Sequence, residues 1–148
     1  MTGDTPDRGH SITAAAQAAL YESSEGQQGW TRKVDGRDVP CVLLSYRGRR
    51  TGAVRSAPVI RVADEGRYIL VGSLGGADVD PWWVINLRHD PRLRLRDRGR
   101  VFETVAEELS GSAREQAWSV ATHTFPRYED YQSRTGRLIP VFAAPIVL

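Results

Sequence analysis

A strand-rich α+β domain, built as a small antiparallel barrel with helices on its flanks, is the architecture this sequence predicts. Three observations carry that expectation. Apolar stretches of strand length recur from Trp30 onward. Turn signals at Asp35-Gly36, Asp64-Glu65-Gly66 and Arg98-Gly99 join them as hairpins. A chain of 148 residues, 41% hydrophobic and 26% charged, is long enough for one core and short for two.

The elements follow in order. Met1 to His10, rich in Gly, Pro, Asp and Thr, reads as a disordered arm. Ser11 offers an N-cap to an Ala-rich helix over Ile12–Glu22, which Ser23 to Gly29 ends. Residues 1–29 are thus an arm and short helix, and residues 30–148 the main domain. The helix lacks the basic polar face of a membrane-surface helix, so docking on the domain is expected, ahead of covering a cofactor mouth or touching a membrane. Trp30–Val34 reads as a short strand and Val39–Tyr46 as a buried one, because Val42, Leu43 and Leu44 run without a polar break. Val54–Val62 alternates imperfectly around Pro58, which suits an edge strand or a bulge, and Tyr68–Val71 returns through a hairpin.

Asp80 before Pro81 has the pattern of an N-cap and a first-turn proline, opening a helix over Trp82–Arg88 that Asp90-Pro91 stops. Arg92–Asp97 alternates Leu93 and Leu95 with arginines, the period of a half-buried strand, and Val101–Leu109 pairs back onto it. Ser112 with Glu115 three residues on has capping-box spacing for a helix reaching Thr124. Pro126 breaks that helix, Arg127–Ser133 resumes it with Tyr128 and Tyr131 on one face, and Ile139–Ala143 is the last strand.

Charge and composition exclude several functions. A formal charge of +2 is too small for a nucleic-acid binder without a concentrated basic face. Lys33 is the only lysine among 20 basic residues, so the positive charge is nearly all guanidinium, which pairs bidentately with phosphate or carboxylate. Cys41 is the sole cysteine and heads an apolar strand, which excludes an internal disulfide and a Cys-based zinc site. His10, His89 and His123 have neither metal-ligand spacing nor a serine-triad order, so no metal is expected. No run approaches the roughly 18 apolar residues of a membrane span, and the polar N-terminus is not a signal peptide; a cytoplasmic protein is expected.

Three groups have the residue types for ligand chemistry. Arg49, Arg50 and Arg55 surround a turn with Thr51 and Gly52, where backbone N–H groups, a hydroxyl and guanidiniums can meet an anion; the same grouping also fits a solvated basic turn. It has neither Walker nor Rossmann spacing. Gly72-Ser73-Leu74-Gly75-Gly76 follows a strand, so its backbone can approach a flat ligand, although an ordinary loop before a helix reads the same way. Trp82 and Trp83 suit a pocket wall or a core, and Phe125, Tyr128 and Tyr131 form an aromatic series able to close over a planar ligand or to pack on the sheet.

In series, these pieces resemble a known family. Gly48-Arg49-Arg50-Thr51-Gly52 with Arg55, Ser56 and Pro58, then the glycine loop, Pro81-Trp82-Trp83 with Asn86-Leu87-Arg88 and Asp90-Pro91, and Tyr128-Glu129-Asp130-Tyr131-Gln132 through Ile139-Pro140-Val141 resemble the deazaflavin-dependent nitroreductases over Val39–Phe142. The resemblance implies a split β-barrel of the FMN-binding type that binds coenzyme F420, a deazaflavin with a phospholactyl-polyglutamate tail found mainly in actinobacteria. It implies that Arg49, Arg50, Thr51, Gly52 and Arg55 hold the tail. Ser56, Pro58, Trp82, Trp83 and Asn86, with Gly72, Ser73, Leu74, Gly75 and Gly76, complete the cofactor site. It further implies that Ser73 lies beside the hydride-donating carbon and that Phe125, Tyr128 and Tyr131 cover the substrate; the proton is then expected from Tyr128 or from water.

Two positions depart from the family pattern. Leu74 stands where many members carry lysine, which removes a positive contact, and Phe125 stands where some carry tyrosine. The implied activity is hydride transfer to quinone-like, nitroaromatic or enone acceptors, with quinones the better fit. The alternatives are an FMN-binding split-barrel oxidase or reductase and a non-catalytic cofactor or ligand carrier. A homodimer is expected by analogy alone.

Overall fold

The computed structural model describes residues 12–147. Its strands form two antiparallel sheets rather than one closed barrel. The first holds β1 (Thr31–Val34), β2 (Arg37–Arg47), β3 (Val54–Ile60), β6 (Arg92–Asp97) and β7 (Arg100–Val105). The second runs in the order β4 (Ala63–Asp64), β5 (Arg67–Val71), β9 (Val141–Pro145), β8 (Glu107–Glu108). Four helices complete the fold: α1 (Ala14–Ser23), α2 (Trp82–His89), α3 (Gly111–Thr124) and α4 (Arg127–Ser133).

Side-chain alternation explains why the strands are so continuously apolar. On β5, Tyr68 and Leu70 enter the core between the sheets with Val42, Leu44, Leu95 and Phe142, while Ile69 and Val71 join Ala117 and Ala121 of α3 on the opposite side. On β2, Cys41 and Leu43 face Ala18 and Tyr21 of α1. Strands covered on both faces have no need of a polar alternate. The Tyr21 hydroxyl locks α1 in place, donating to the Cys41 carbonyl at 2.8 Å and accepting from the Arg98 amide at 2.9 Å.

Several expected boundaries move, each for a physical reason. Thr13 caps α1, its Oγ1 accepting from the Ala16 amide at 3.1 Å; Ser11 and the arm Met1 to His10 lie outside the described residues. Pro81, not Asp80, precedes α2, because the Asp80 carboxylate is held by Arg88 at 3.0 Å and Arg137 at 2.8 Å. Ser110 rather than Ser112 is the N-cap of α3, and it makes no side-chain capping bond. Val101–Leu109 is not one strand: the chain leaves β6 after Val105 and joins β9 at Glu107, changing sheets at buried Ala106. Pro58 stands in β3, whose described partner is β2 alone, so its missing N–H falls on an edge. Among the described residues no helix is long and apolar enough to cross a membrane.

Candidate active site

The arginine turn joins β2 to β3. Gly52 sits at φ +75°, a backbone setting that favours glycine, and its amide donates to the Gly48 carbonyl at 2.8 Å. Thr51 Oγ1 accepts from the Ala53 amide at 3.1 Å, and the Arg47 guanidinium donates to the Gly52 carbonyl at 3.0 Å. The turn is pinned to α2 by Asn86: its Oδ1 accepts from the Arg49 amide at 2.7 Å and its Nδ2 donates to the Trp82 carbonyl at 2.8 Å. Asn86 is buried, at 5% exposure, so its amide serves the protein and positions the turn.

Arg49, Arg50, Thr51, Arg55, Asn86 and Trp82 line a pocket of about 330 Å³. The guanidiniums of Arg49, Arg50 and Arg55 have no ion pair and no side-chain hydrogen bond among the described residues, whereas Arg61, Arg67, Arg88, Arg92, Arg94, Arg114, Arg127 and Arg137 each have a carboxylate. Three unpaired cations lining one recess have the chemistry to meet an anion.

Trp82 is also a wall of a larger cavity, of about 940 Å³, lined chiefly by aromatic and aliphatic side chains. Ser56, Pro58, Ser73, Leu74, Gly75, Trp83, Phe125, Tyr128 and Tyr131 all reach it. Trp82 is 70% exposed, while Trp83 also packs in the core against Phe142 at 5.7 Å between ring centroids. Gly52, Gly72 and Gly76 line neither cavity. Gly72 is a packing requirement, since a Cβ there would lie 2.6 Å from Val84 Cγ2. Ala14 and Ala15 of α1 also line the large cavity, so the helix docks on the domain and borders the site as well.

The glycine loop owes its shape to a residue that the sequence did not single out. Arg137 donates to the carbonyls of Gly72 (3.2 Å), Ser73 (2.8 Å) and Ala77 (2.8 Å) and pairs with Asp80. Ser73, Leu74 and Gly75 of this loop line the cavity, and the buried Ser73 hydroxyl has no protein partner among the described residues. Leu74 takes φ +46° with its side chain 52% exposed, so the loop presents an apolar surface at this point.

The aromatic series does converge. Phe125 and Tyr128 meet edge to face at 4.9 Å, and Tyr131 lies 6.1 and 6.2 Å from them. Arg127 and Arg134 each sit 5.4 Å from the Tyr131 ring centroid. Burial pushes the Tyr128 phenol far up, helped by nearby Cys41 and Tyr131, so it stays protonated at working pH: a hydrogen-bond donor and a weak acid. Tyr46, which the sequence placed only at a strand end, is buried on the same cavity, and burial raises its phenol too. Among the described residues no cluster of side chains is arranged to hold a metal ion.

Comparison with known proteins identifies the family. The chain is 29% identical over 126 residues to an F420H(2)-dependent quinone reductase of Mycobacterium tuberculosis, covering 83% of each chain. It is 32% identical over 108 residues to a second putative F420H(2)-dependent quinone reductase of that organism, covering 71% of this chain and 88% of the other. A solved F420-H2 dependent reductase, FDR-A, superposes with a TM-score of 0.67 at 38% identity, over 71% of this chain and 93% of that one. A structure described as a domain-swapped dimer superposes with a TM-score of 0.70 at 34% identity, over 87% and 94%. Residues 14–145 match the model of one family along nearly the whole described chain, and the protein belongs to that family, the F420H(2)-dependent quinone reductases.

Proposed function

We propose that the protein reduces quinone-like acceptors with F420H2, binding the cofactor across the two cavities that meet at Trp82. One observation carries the reading: three unpaired guanidiniums line a recess that adjoins a mostly aromatic cavity, which matches a molecule with an anionic tail and a flat ring. Arg49, Arg50 and Arg55 neutralise the tail, and the turn amides and Thr51 add hydrogen bonds. The glycine loop lies along the ring, with the Ser73 hydroxyl free to bond to it. When bound, the reduced deazaflavin supplies the hydride.

The protein supplies orientation and a dry site. Phe125, Tyr128 and Tyr131 cover the acceptor, and Tyr128, held protonated by burial, donates a hydrogen bond to the oxygen that gains negative charge. Nitroaromatic and enone acceptors have the same demand for an electron-poor carbon and a nearby donor. The two-sheet architecture is a split β-barrel in this reading, and assembly as a cytoplasmic homodimer goes with it.

Titration of the purified protein with F420 and, separately, with flavin mononucleotide, followed by cofactor fluorescence, tests the cofactor. Tight F420 binding with F420H2-dependent reduction of menadione is expected. Tighter flavin binding would favour the flavin enzyme, and F420 binding without turnover of any quinone would favour a carrier.

A further inference from the structure

We propose that Arg32 reads a carboxylate on the acceptor, so that the large cavity takes quinones with an anionic side chain in preference to uncharged ones. This rests on the quinone-reductase reading of the same cavity and names its substrate class more closely. Residues two apart on a strand share a face, so Arg32 and Val34 of β1 point the same way, and Arg32 stands opposite Val39 on β2. Val34 and Val39 both pack against the cluster that holds Phe125, Tyr128 and Tyr131. Arg32 lines the cavity that Phe125, Tyr128 and Tyr131 also line; Lys33 lines it too, but its ammonium is engaged by Asp38.

Its charge has no partner among the described residues. The two carboxylates of the same hairpin are already engaged, Asp38 by Lys33 at 3.0 Å and Asp35 by Arg127 at 2.6 Å. Arg32 also lines a groove between α1 and the hairpin, and that groove shares no residue with the arginine-turn pocket. Trp82 is the residue the large cavity shares with the arginine-turn pocket, whereas Arg32 is shared with the α1 groove. An unpaired guanidinium at a largely apolar cavity favours a bidentate carboxylate over an amide of the same shape.

Two probes test this: a naphthoquinone carrying a propanoate chain and the corresponding propanamide. Their binding to the protein loaded with oxidised F420 is measured by isothermal titration calorimetry, where no turnover intervenes. The wild-type protein should bind the propanoate about tenfold more tightly, Arg32→Gln should remove that preference without weakening the amide, and Arg32→Lys should restore part of it. Equal binding of the two probes by the wild type, or an equal loss for both in Arg32→Gln, would overturn the assignment. Reduction of the amide by F420H2 tests the underlying activity separately: its absence sinks the reductase reading, while the calorimetric preference still decides the role of Arg32.

Discussion

Asn86 Oδ1 accepts a hydrogen bond from the Arg49 amide across 37 residues of sequence, and this contact joins the arginine turn to the helix that walls both cavities. Asn86→Ala leaves the Arg49 N–H unpartnered and removes the second, side-chain bond to the Trp82 carbonyl, a loss of about 1–3 kcal/mol of stability by denaturant unfolding. The turn also loses its anchor, so the F420 dissociation constant should rise several-fold in a fluorescence titration. Unchanged affinity in a folded variant would mean that the turn orders itself.

Arg55 is one of three unpaired cations at the tail pocket, and Arg37 is an exposed arginine that lines neither cavity. Arg55→Ala is expected to raise the F420 dissociation constant by about tenfold and to flatten its dependence on salt. Arg37→Ala should do neither. Equal effects from both would point to overall charge rather than to a clamp.

Arg137 holds three carbonyls of the glycine loop and its following segment, together with Asp80. Arg137→Ala should cost about 3 kcal/mol, because each carbonyl loses a charge-assisted bond in a partly buried setting. Arg137→Lys should recover only part, since an ammonium lacks the planar fork that reaches several acceptors at once. Thermal unfolding measures both. F420 binding by the lysine variant should fall in step with its loss of stability.

Alkaline stability follows from the buried tyrosines. Tyr21 is pushed up to about 12 by burial, and Tyr46, Tyr68 and Tyr128 are also raised. An unfolded tyrosine ionises near pH 10, so between about pH 10 and 12 the unfolded chain releases protons that the native fold retains. The stability that burial of these phenols contributes is complete below pH 10 and is lost as pH rises through that window. Melting temperature should therefore fall steeply above about pH 10, and Tyr21→Phe should make that fall shallower.

Much of this was legible in sequence where local pattern and tertiary environment agree. The alternation of Leu93 and Leu95 with arginines gave β6 its limits, Arg92–Asp97, because one face packs in the core and the other meets α1, where Arg94 pairs with Glu22 at 2.9 Å. The resemblance brought together the arginine turn, Ser73, Trp82 and the aromatic helix, which do meet at two adjoining cavities. Arg137 escaped notice because its partners are carbonyls 60 to 65 residues away, and a carbonyl leaves no mark on the sequence. Asp80 looked like a cap because Pro81 follows it, yet Arg88 and Arg137 claim its carboxylate. The break at Ala106 was hidden because the strand-like run Val101–Val105 is followed by a further apolar residue at Leu109, and the edge of β9 takes up Glu107 and Glu108 between them.

The position of β9 has a consequence for how the enzyme is made. It is the last strand in chain order, yet it lies between β5 and β8, with Val71 opposite Val141 and Glu108 opposite Phe142. The strand that leads into the glycine loop therefore has no central neighbour until Pro145 has been synthesised, and Arg137 reaches the loop only shortly before. Pairing over such sequence distances is slow and late. The β2–β3 hairpin that carries the arginine turn can pair locally, whereas the glycine loop and the core between the sheets, to which β9 brings Phe142 and Ala144, close only once β9 is in place.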